Sequence, residues 1–313
     1  MHEITKHKKF FSKIATNYLI LGVLALTFQL LLLNINGLLN VNLFENINIA
    51  TILTAICNYL LPFPIFIFLM SRLDSERLPK QNINIKTFIQ YISITFTLMW
   101  IGNIIGLALT TAIGLAIHND VANPIQNLIN STDIWLNILL ISIIGPIFEE
   151  IIFRKLLIDR TIKYGARVSI ILSAVLFALF HGNLNQFFYA LFMGGFFAYI
   201  YIKTGKIIYT IILHLIINLT GSVASPYVVQ SANAVTLATH SPTDLAIVLI
   251  YFIIIVTFLI IGLIGLSKYK KAKFNGSKTE INLKKPMTNI FLNIGMTLFT
   301  LFFAFQIIYQ LII

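Results

Sequence analysis

Glu149 and Glu150 stand side by side near the end of the apolar run Ile134 to Phe153, and Arg154 follows in the next turn. Two later apolar runs each hold one histidine, His181 and His214, and Asn218 lies one turn beyond the second. An ionisable side chain at hydrocarbon depth costs roughly 2.5–3.5 kcal/mol on insertion scales. A carboxylate pair and two imidazoles at that depth point to a polar site inside a membrane bundle. A carboxylate and an imidazole can hold a water and take its proton as it attacks a carbonyl. A second imidazole and an amide can donate hydrogen bonds to the oxyanion that forms. The same three side chains, Glu149, His181 and His214, could instead hold Zn²⁺, which brings the pKa of a bound water down to ~7. The chain has no H-E-x-x-H helix and no cysteine ligand to mark a standard zinc site, and no G-x-S-x-G elbow for a serine hydrolase.

Glu150 and Arg154 are four residues apart, share a helix face and can pair. Glu149 is rotated from Glu150 by about 100° and is left free to act on something else. Glu149 therefore reads as chemistry, with Glu150 and Arg154 as its support. The competing reading makes all three an interfacial charge cluster, with Arg154 snorkelling to the membrane surface. Taken alone, each histidine reads equally well as a polar group bonded to a neighbouring helix. His2 and His7 lie in the basic N-terminal segment, while His118 and His240 lie in loops; none of the four is assigned a role.

The elements that must position these groups are membrane helices. The 313-residue chain is 58% hydrophobic and 11% charged, against about 25% charged in soluble domains, and its mean hydropathy is +0.89. The expected fold is all-α, a polytopic membrane helix bundle of about nine transmembrane helices. The apolar segments run over about 14–37, 49–70, 87–114, 134–153, 168–181, 186–202, 207–224, 244–267 and 287–313. A span needs ~20 residues, so the fifth is short. Spans four to seven hold the glutamates, both intramembrane histidines and Asn218. They form a four-helix catalytic core at 134–224 within a single membrane domain, with accessory helices in 1–133 and 225–313. Spans one, eight and nine carry few polar residues and read as a lipid-facing surround. Pro62 and Pro64 should kink span two, and Pro146 withholds a donor from the Ser142 carbonyl. Gly102 with Gly106, and Gly194 with Ala198, predict close helix approach.

The net charge of +11 does not point to nucleic acid. All 22 Lys and Arg fall before span one or in the loops after spans two, four, six and eight, whereas the alternate loops 38–48, 115–133, 182–185 and 225–243 have none. That asymmetry predicts a cytoplasmic N-terminus and an external C-terminus, in the cytoplasmic membrane of a bacterium or equally the endoplasmic reticulum of a eukaryote. The lysine-rich loop 268–285 could also rest on anionic lipid. Span one reads as a retained helix, because its apolar stretch exceeds the ~7–15 residues of a cleaved signal. Cys57, the single cysteine, reads as a small buried hydrophobe. One conflict stands out. If span four ends at Phe153, Glu149 lies about 7 Å from the basic boundary while His181 lies about 20 Å from it, so the two meet only if helices tilt or boundaries move.

The three patterns Glu149-Glu150-x-x-x-Arg154, Phe177-x-x-x-His181 and His214-x-x-x-Asn218 stand in order on successive core segments. Together with the glycine-rich stretch and T-G turn between Gly194 and His214, they resemble the CPBP family, also called the Abi or CAAX protease family. That family includes type II CAAX prenyl endopeptidases and bacteriocin-immunity-associated membrane proteins. The resemblance covers about 134–224. It implies an intramembrane endopeptidase acting on a peptide or protein tail presented at the lipid bilayer. It implies Glu149 as general base, His181 as co-holder of the water, and His214 with Asn218 as oxyanion stabilisers. Glu150, Arg154 and Phe177 would support the site. Members are often called metalloproteases, which keeps zinc on Glu149, His181 and His214 open. Two rival functions remain: a non-catalytic immunity or scaffold protein that keeps the cluster as structure, and a proton-coupled transporter. The transporter lacks an internal repeat to support it.

Overall fold

A helix satisfies every interior backbone group within its own segment, which is what hydrocarbon demands. A computed structural model of the chain describes residues 2–118, 121, 123–269 and 280–312, and all regular structure among them is helical. The helices are α1 (His2–Leu39), α2 (Ile47–Ser71), α3 (Ile85–Ile117), the short α4 (Pro124–Ser131), α5 (Ile134–Tyr164), α6 (Ala166–Phe180), α7 (Leu184–Thr204), α8 (Ile207–Thr236), α9 (Pro242–Tyr269), the short α10 (Pro286–Ile290) and α11 (Ile294–Ile312). Eight of them are long and apolar enough to cross a membrane. The ninth expected span, α6, has 15 residues, about 22 Å of rise against the ~30 Å hydrocarbon core.

Asparagines start four of these helices. The side-chain oxygens of Asn46, Asn84, Asn123 and Asn183 accept from backbone N–H groups in the first turns of α2, α3, α4 and α7, satisfying donors that a helix start leaves orphaned. Gly205 ends α7 with φ +59°, where a Cβ would lie 2.4 Å from the Pro79 carbonyl oxygen.

Three helices widen by one residue per turn just before a proline. In α2 the Leu61 N–H reaches the Ile56 carbonyl ahead of Pro62, in α5 Gly145 reaches Leu140 ahead of Pro146, and in α8 Ser225 reaches Thr220 ahead of Pro226. Proline cannot donate, and its ring crowds the preceding turn, so a five-residue step relieves both problems. A second wide stretch in α5 covers Ile151–Leu156. Side chains take up nearby carbonyls: Tyr18 Oη donates to Ile152 O (2.6 Å), Ser173 Oγ to Phe153 O (2.8 Å) and Asn218 Nδ2 to Ile141 O (2.9 Å). Irregular backbone at membrane depth is tolerated only with such partners.

α5 does not end at Phe153, as hydropathy suggests, but runs ten residues further than Arg154, to Tyr164. The charges that lower its hydropathy are matched inside the protein. Arg154 pairs with Glu150 (3.1 Å). Asp159 accepts from Tyr201 Oη (2.7 Å) and pairs with Lys155. Arg160 donates to the carbonyls of Met70 (2.6 Å) and Leu156 (2.9 Å).

α7 packs against α3 and α6, α9 against α3, α1 against α11, and α8 against α5. A Cβ on Gly102 would lie 2.4 Å from the Tyr189 Cα, and one on Gly106 would lie 2.8 Å from the Asn185 carbonyl oxygen, so α3 and α7 touch backbone to backbone. α9 buries only 6% of its apolar window and forms much of the lipid-facing surround. The charge-bearing segments meet at one face: His7 bonds Tyr164 (3.1 Å), Ile281 N–H donates to Lys163 O (2.8 Å), Glu76 N–H to Asp159 O (2.6 Å), and Gln81 N–H to Thr204 O (2.7 Å). At the other face Asn48 and Asp133 bond each other. Lys270, Lys271, Lys273 and Lys278 of the proposed lipid-resting loop lie outside the described residues.

Candidate active site

The conflict of depth between Glu149 and His181 disappears with the true length of α5. Glu149 lies fifteen residues before Tyr164, and His181 fifteen residues after Ala166, so each sits about 22 Å from the basic face by helical rise. The site is at mid-depth.

Glu150 points into the protein and is fully buried. Its Oε1 lies 2.9 Å from His214 Nδ1, and its Oε2 lies 3.1 Å from Arg154 Nε. Arg154 is also fully buried, with its guanidinium 4.3 Å from the Phe177 ring centroid and 5.5 Å from that of Phe197. The arginine therefore does not snorkel: an ion pair and two aromatic faces replace its hydration. The one-turn spacing of Glu150 and Arg154 survives although the helix widens immediately after Glu150.

Glu149, one position earlier, turns into a cavity of about 730 Å³. Its Oε1 accepts from Tyr59 Oη (3.2 Å), and its Oε2 lies 3.6 Å from His214 Nε2. His214 is thus held by Glu150 on one ring nitrogen and presents the other to Glu149. His181 Nδ1 lies 2.7 Å from the Phe177 carbonyl oxygen. A carbonyl only accepts, so Nδ1 carries the hydrogen and the neutral ring's Nε2 offers a lone pair. The Phe177 ring meets His181 edge-on at 4.7 Å and His214 at 5.9 Å, which fixes both imidazoles against one side chain. Asn218 spends one amide hydrogen on the Ile141 carbonyl and retains a second.

Glu149, His181, His214 and Asn218 all border the one cavity, as does Phe177. Glu150 and Arg154 sit behind it. Tyr59 is the contact that sequence reading missed. It comes from α2, outside the expected core, and a tyrosine in an apolar span carries no spacing signal.

Two imidazoles and a carboxylate suit zinc by type, and the Glu150 contact to His214 is the kind of outer support that metal-bound histidines use. The arrangement fits less well. Among the described residues no three His, Cys, Asp or Glu side chains form a group that could hold a metal ion.

Residues 131–220 match the sequence profile of the family described as "Type II CAAX prenyl endopeptidase Rce1-like". Over 87 residues the chain is 38% identical to "Putative membrane peptidase YdiL" of Bacillus subtilis (strain 168), a match covering 26% of this chain and 34% of that protein. The chain thus aligns with about a third of that relative's length. No solved structure matches the chain.

Proposed function

We propose, from a core that belongs to the type II CAAX prenyl endopeptidase Rce1-like family, that this integral membrane protein hydrolyses peptide bonds within the bilayer. The observation that carries the reading is the shared cavity wall: one carboxylate, two imidazoles and an amide from α5, α6 and α8 face the same space. Each of the first three is held by a partner that leaves its working atom free.

In this reading a water sits between a Glu149 carboxylate oxygen and the His181 Nε2 lone pair. Glu149 takes the water's proton as its oxygen bonds to the scissile carbonyl carbon. The carbonyl oxygen becomes an oxyanion, which accepts from the remaining Asn218 amide hydrogen and from His214 Nε2–H. Because the His214 Nδ1–H donates to Glu150, Nε2 can donate only when the ring is doubly protonated. Collapse of the intermediate breaks the C–N bond, and Glu149 passes its proton to the leaving amine. Tyr59 holds the Glu149 carboxylate in place through the cycle.

The substrate is a peptide or protein tail presented from the membrane. The basic face is cytoplasmic, the N-terminus lies there and the C-terminus lies outside, a reading supported by the gathering of the charged segments at one face.

A scaffold or immunity role is the second reading. It is favoured by the commitment of Asn218 to the Ile141 carbonyl and of Glu150 to two partners, which pins α5 to α8. One experiment separates the two. Membranes of cells carrying wild-type protein or Glu149→Gln are compared for peptides that fail to mature, with a chelator added to a parallel wild-type sample. The endopeptidase reading predicts accumulation of unprocessed peptide with Glu149→Gln. An unchanged peptide profile and an intact phenotype would favour the scaffold. Loss of processing with chelator alone would bring zinc on Glu149, His181 and His214 back into the account.

A further inference from the structure

The cavity does not stop at the reactive side chains. It extends from Glu149 to Ile47, the first residue of α2, and to Asn123, just ahead of α4. Both lie at the face away from the basic loops. On the other side Phe153, Phe177, Phe197 and Arg154 are fully buried or nearly so and close the floor. Among the described residues the lining contains no Lys, Arg or Asp. It is rich in carboxamides, among them Gln29, Asn58, Asn103, Asn185, Gln186 and Gln306.

A carboxamide pairs a donor with an acceptor, which is the complement of a peptide group. Some of these are already satisfied: Gln29 donates to Asn58 (2.6 Å), and Gln186 donates to Tyr189 Oη (2.6 Å). Asn185 is different. It is 5% exposed, borders the cavity, and its Nδ2 has no acceptor among the described residues. Its backbone is pinned, because its carbonyl oxygen would lie 2.8 Å from a Cβ on Gly106 of the neighbouring α3. A buried amide donor on a rigid backbone is a fixed point for an incoming carbonyl.

We infer that this cavity binds an uncharged, extended peptide segment by its backbone, admitted from the face opposite the basic loops. Glu149 lies fifteen residues from Ile134 at that face, about 22 Å by helical rise. An extended strand of about seven residues covers that distance at ~3.3 Å each. Charged side chains are disfavoured along this length because, among the described residues, the wall offers them no counter-ion before Glu149, while Leu26, Met99 and Phe180 accommodate apolar ones. The inference rests on the endopeptidase reading only for what happens once the segment reaches Glu149.

The test uses the full chain and its own chemistry. Cys57 is 2% exposed and provides a silent background. Gln126→Cys at the cavity mouth and Lys206→Cys at the basic face are each treated with a membrane-impermeant maleimide in intact cells. The expected result is labelling of Gln126→Cys directly and of Lys206→Cys only after permeabilisation. The purified Glu149→Gln, Gln126→Cys protein in nanodiscs is then labelled with or without a ten-residue peptide of Ala, Leu, Ser and Thr. A second peptide carries two internal lysines. The uncharged peptide should slow labelling at least fivefold and the lysine peptide should not, and Asn185→Leu or Asn103→Leu should each remove the protection. Equal protection by both peptides, protection indifferent to both substitutions, or labelling of Gln126→Cys only after permeabilisation would overturn the inference. Protection by a peptide that wild-type protein never cuts would sink the endopeptidase reading and leave this binding site standing. Cleavage of that peptide without protection would do the reverse.

Discussion

Adjacent glutamates on one helix point about 100° apart, and here that rotation separates a fully buried, doubly paired carboxylate from one facing a cavity. Substitutions at the two positions should therefore fail in different ways. Glu149→Gln keeps the shape and the Tyr59 contact, so cleavage should fall by about 10²–10⁴, the usual contribution of a general base, with unfolding in detergent unchanged. Glu150→Ala strands a buried guanidinium, and unfolding free energy should drop by about 3–5 kcal/mol; a denaturant titration monitored by tryptophan fluorescence reads it. Tyr59→Phe removes the hydroxyl that donates to Glu149 Oε1. Loss of a hydrogen bond to a charged group costs about 1.5–3 kcal/mol of stability, so unfolding free energy should drop by up to that amount, and kcat should fall while KM holds because the Glu149 carboxylate loses the contact that orients it. The residues of the cluster were legible because glutamate, histidine and asparagine are conspicuous in apolar runs, and their i, i+4 spacings show which pairs share a face. Tyr59 was not, because a tyrosine looks the same in sequence whether it packs, anchors or positions a catalytic group.

Helix boundaries were harder to read than helix identities. α5 continues past Arg154, Lys155, Asp159 and Arg160 because each finds a partner: Arg154 pairs with Glu150 and Lys155 with Asp159 inside the helix, while Asp159 also accepts from Tyr201 of α7 and Arg160 donates to the Met70 carbonyl of α2, and hydropathy counts charges without seeing those partners. The error had a consequence: it placed Glu149 and His181 at different depths, although the motif spacing brought them together. The wide turn ahead of Pro62 was legible only as a kink and that ahead of Pro146 only as a withheld donor, while the one ahead of Pro226 lies beyond the apolar segment 207–224 and was not read. The turn ahead of Pro146 depends on an amide from another helix, Asn218 of α8, which donates to the Ile141 carbonyl. The glycine steps were legible, since small residues four apart let backbones approach. Gly102→Val tests that contact. A Cβ there would lie 2.4 Å from the Tyr189 Cα, so α3 and α7 must separate. Overpacking of this kind costs typically about 1–3 kcal/mol, and the displacement of α7 carries Asn185 and Tyr189 with it. Both thermal stability and cleavage should fall, whereas Gly37→Val, with nothing within 4 Å of its Cβ position, should change neither.

At the scale of the molecule, the charge pattern and the cavity give the protein two unlike faces. The segments bearing its lysines and arginines converge at one face, and the cavity runs toward the other. α1 starts on the basic face and α11, whose Gln306 lies beside Gly182, ends on the opposite one. Topology reporters fused to the two termini should therefore score on opposite sides of the membrane; both on one side would contradict the orientation. The gathering of charge at one face was legible from the loops alone, because basic loops alternate with loops that carry no Lys or Arg; the reporters decide which side of the membrane that face occupies. The cavity was not, because its carboxamides are scattered over seven helices and share no sequence period. What the whole arrangement claims is that Glu149 aims a water at a peptide carbonyl. The most direct measurement is a single-turnover cleavage in oxygen-18 water, using purified protein in nanodiscs and mass spectrometry of the product. Wild-type protein should place one heavy oxygen in the new carboxyl terminus, and Glu149→Gln should yield no product on the same timescale. Product formed by Glu149→Gln at the wild-type rate, or wild-type product without the heavy oxygen, would contradict it.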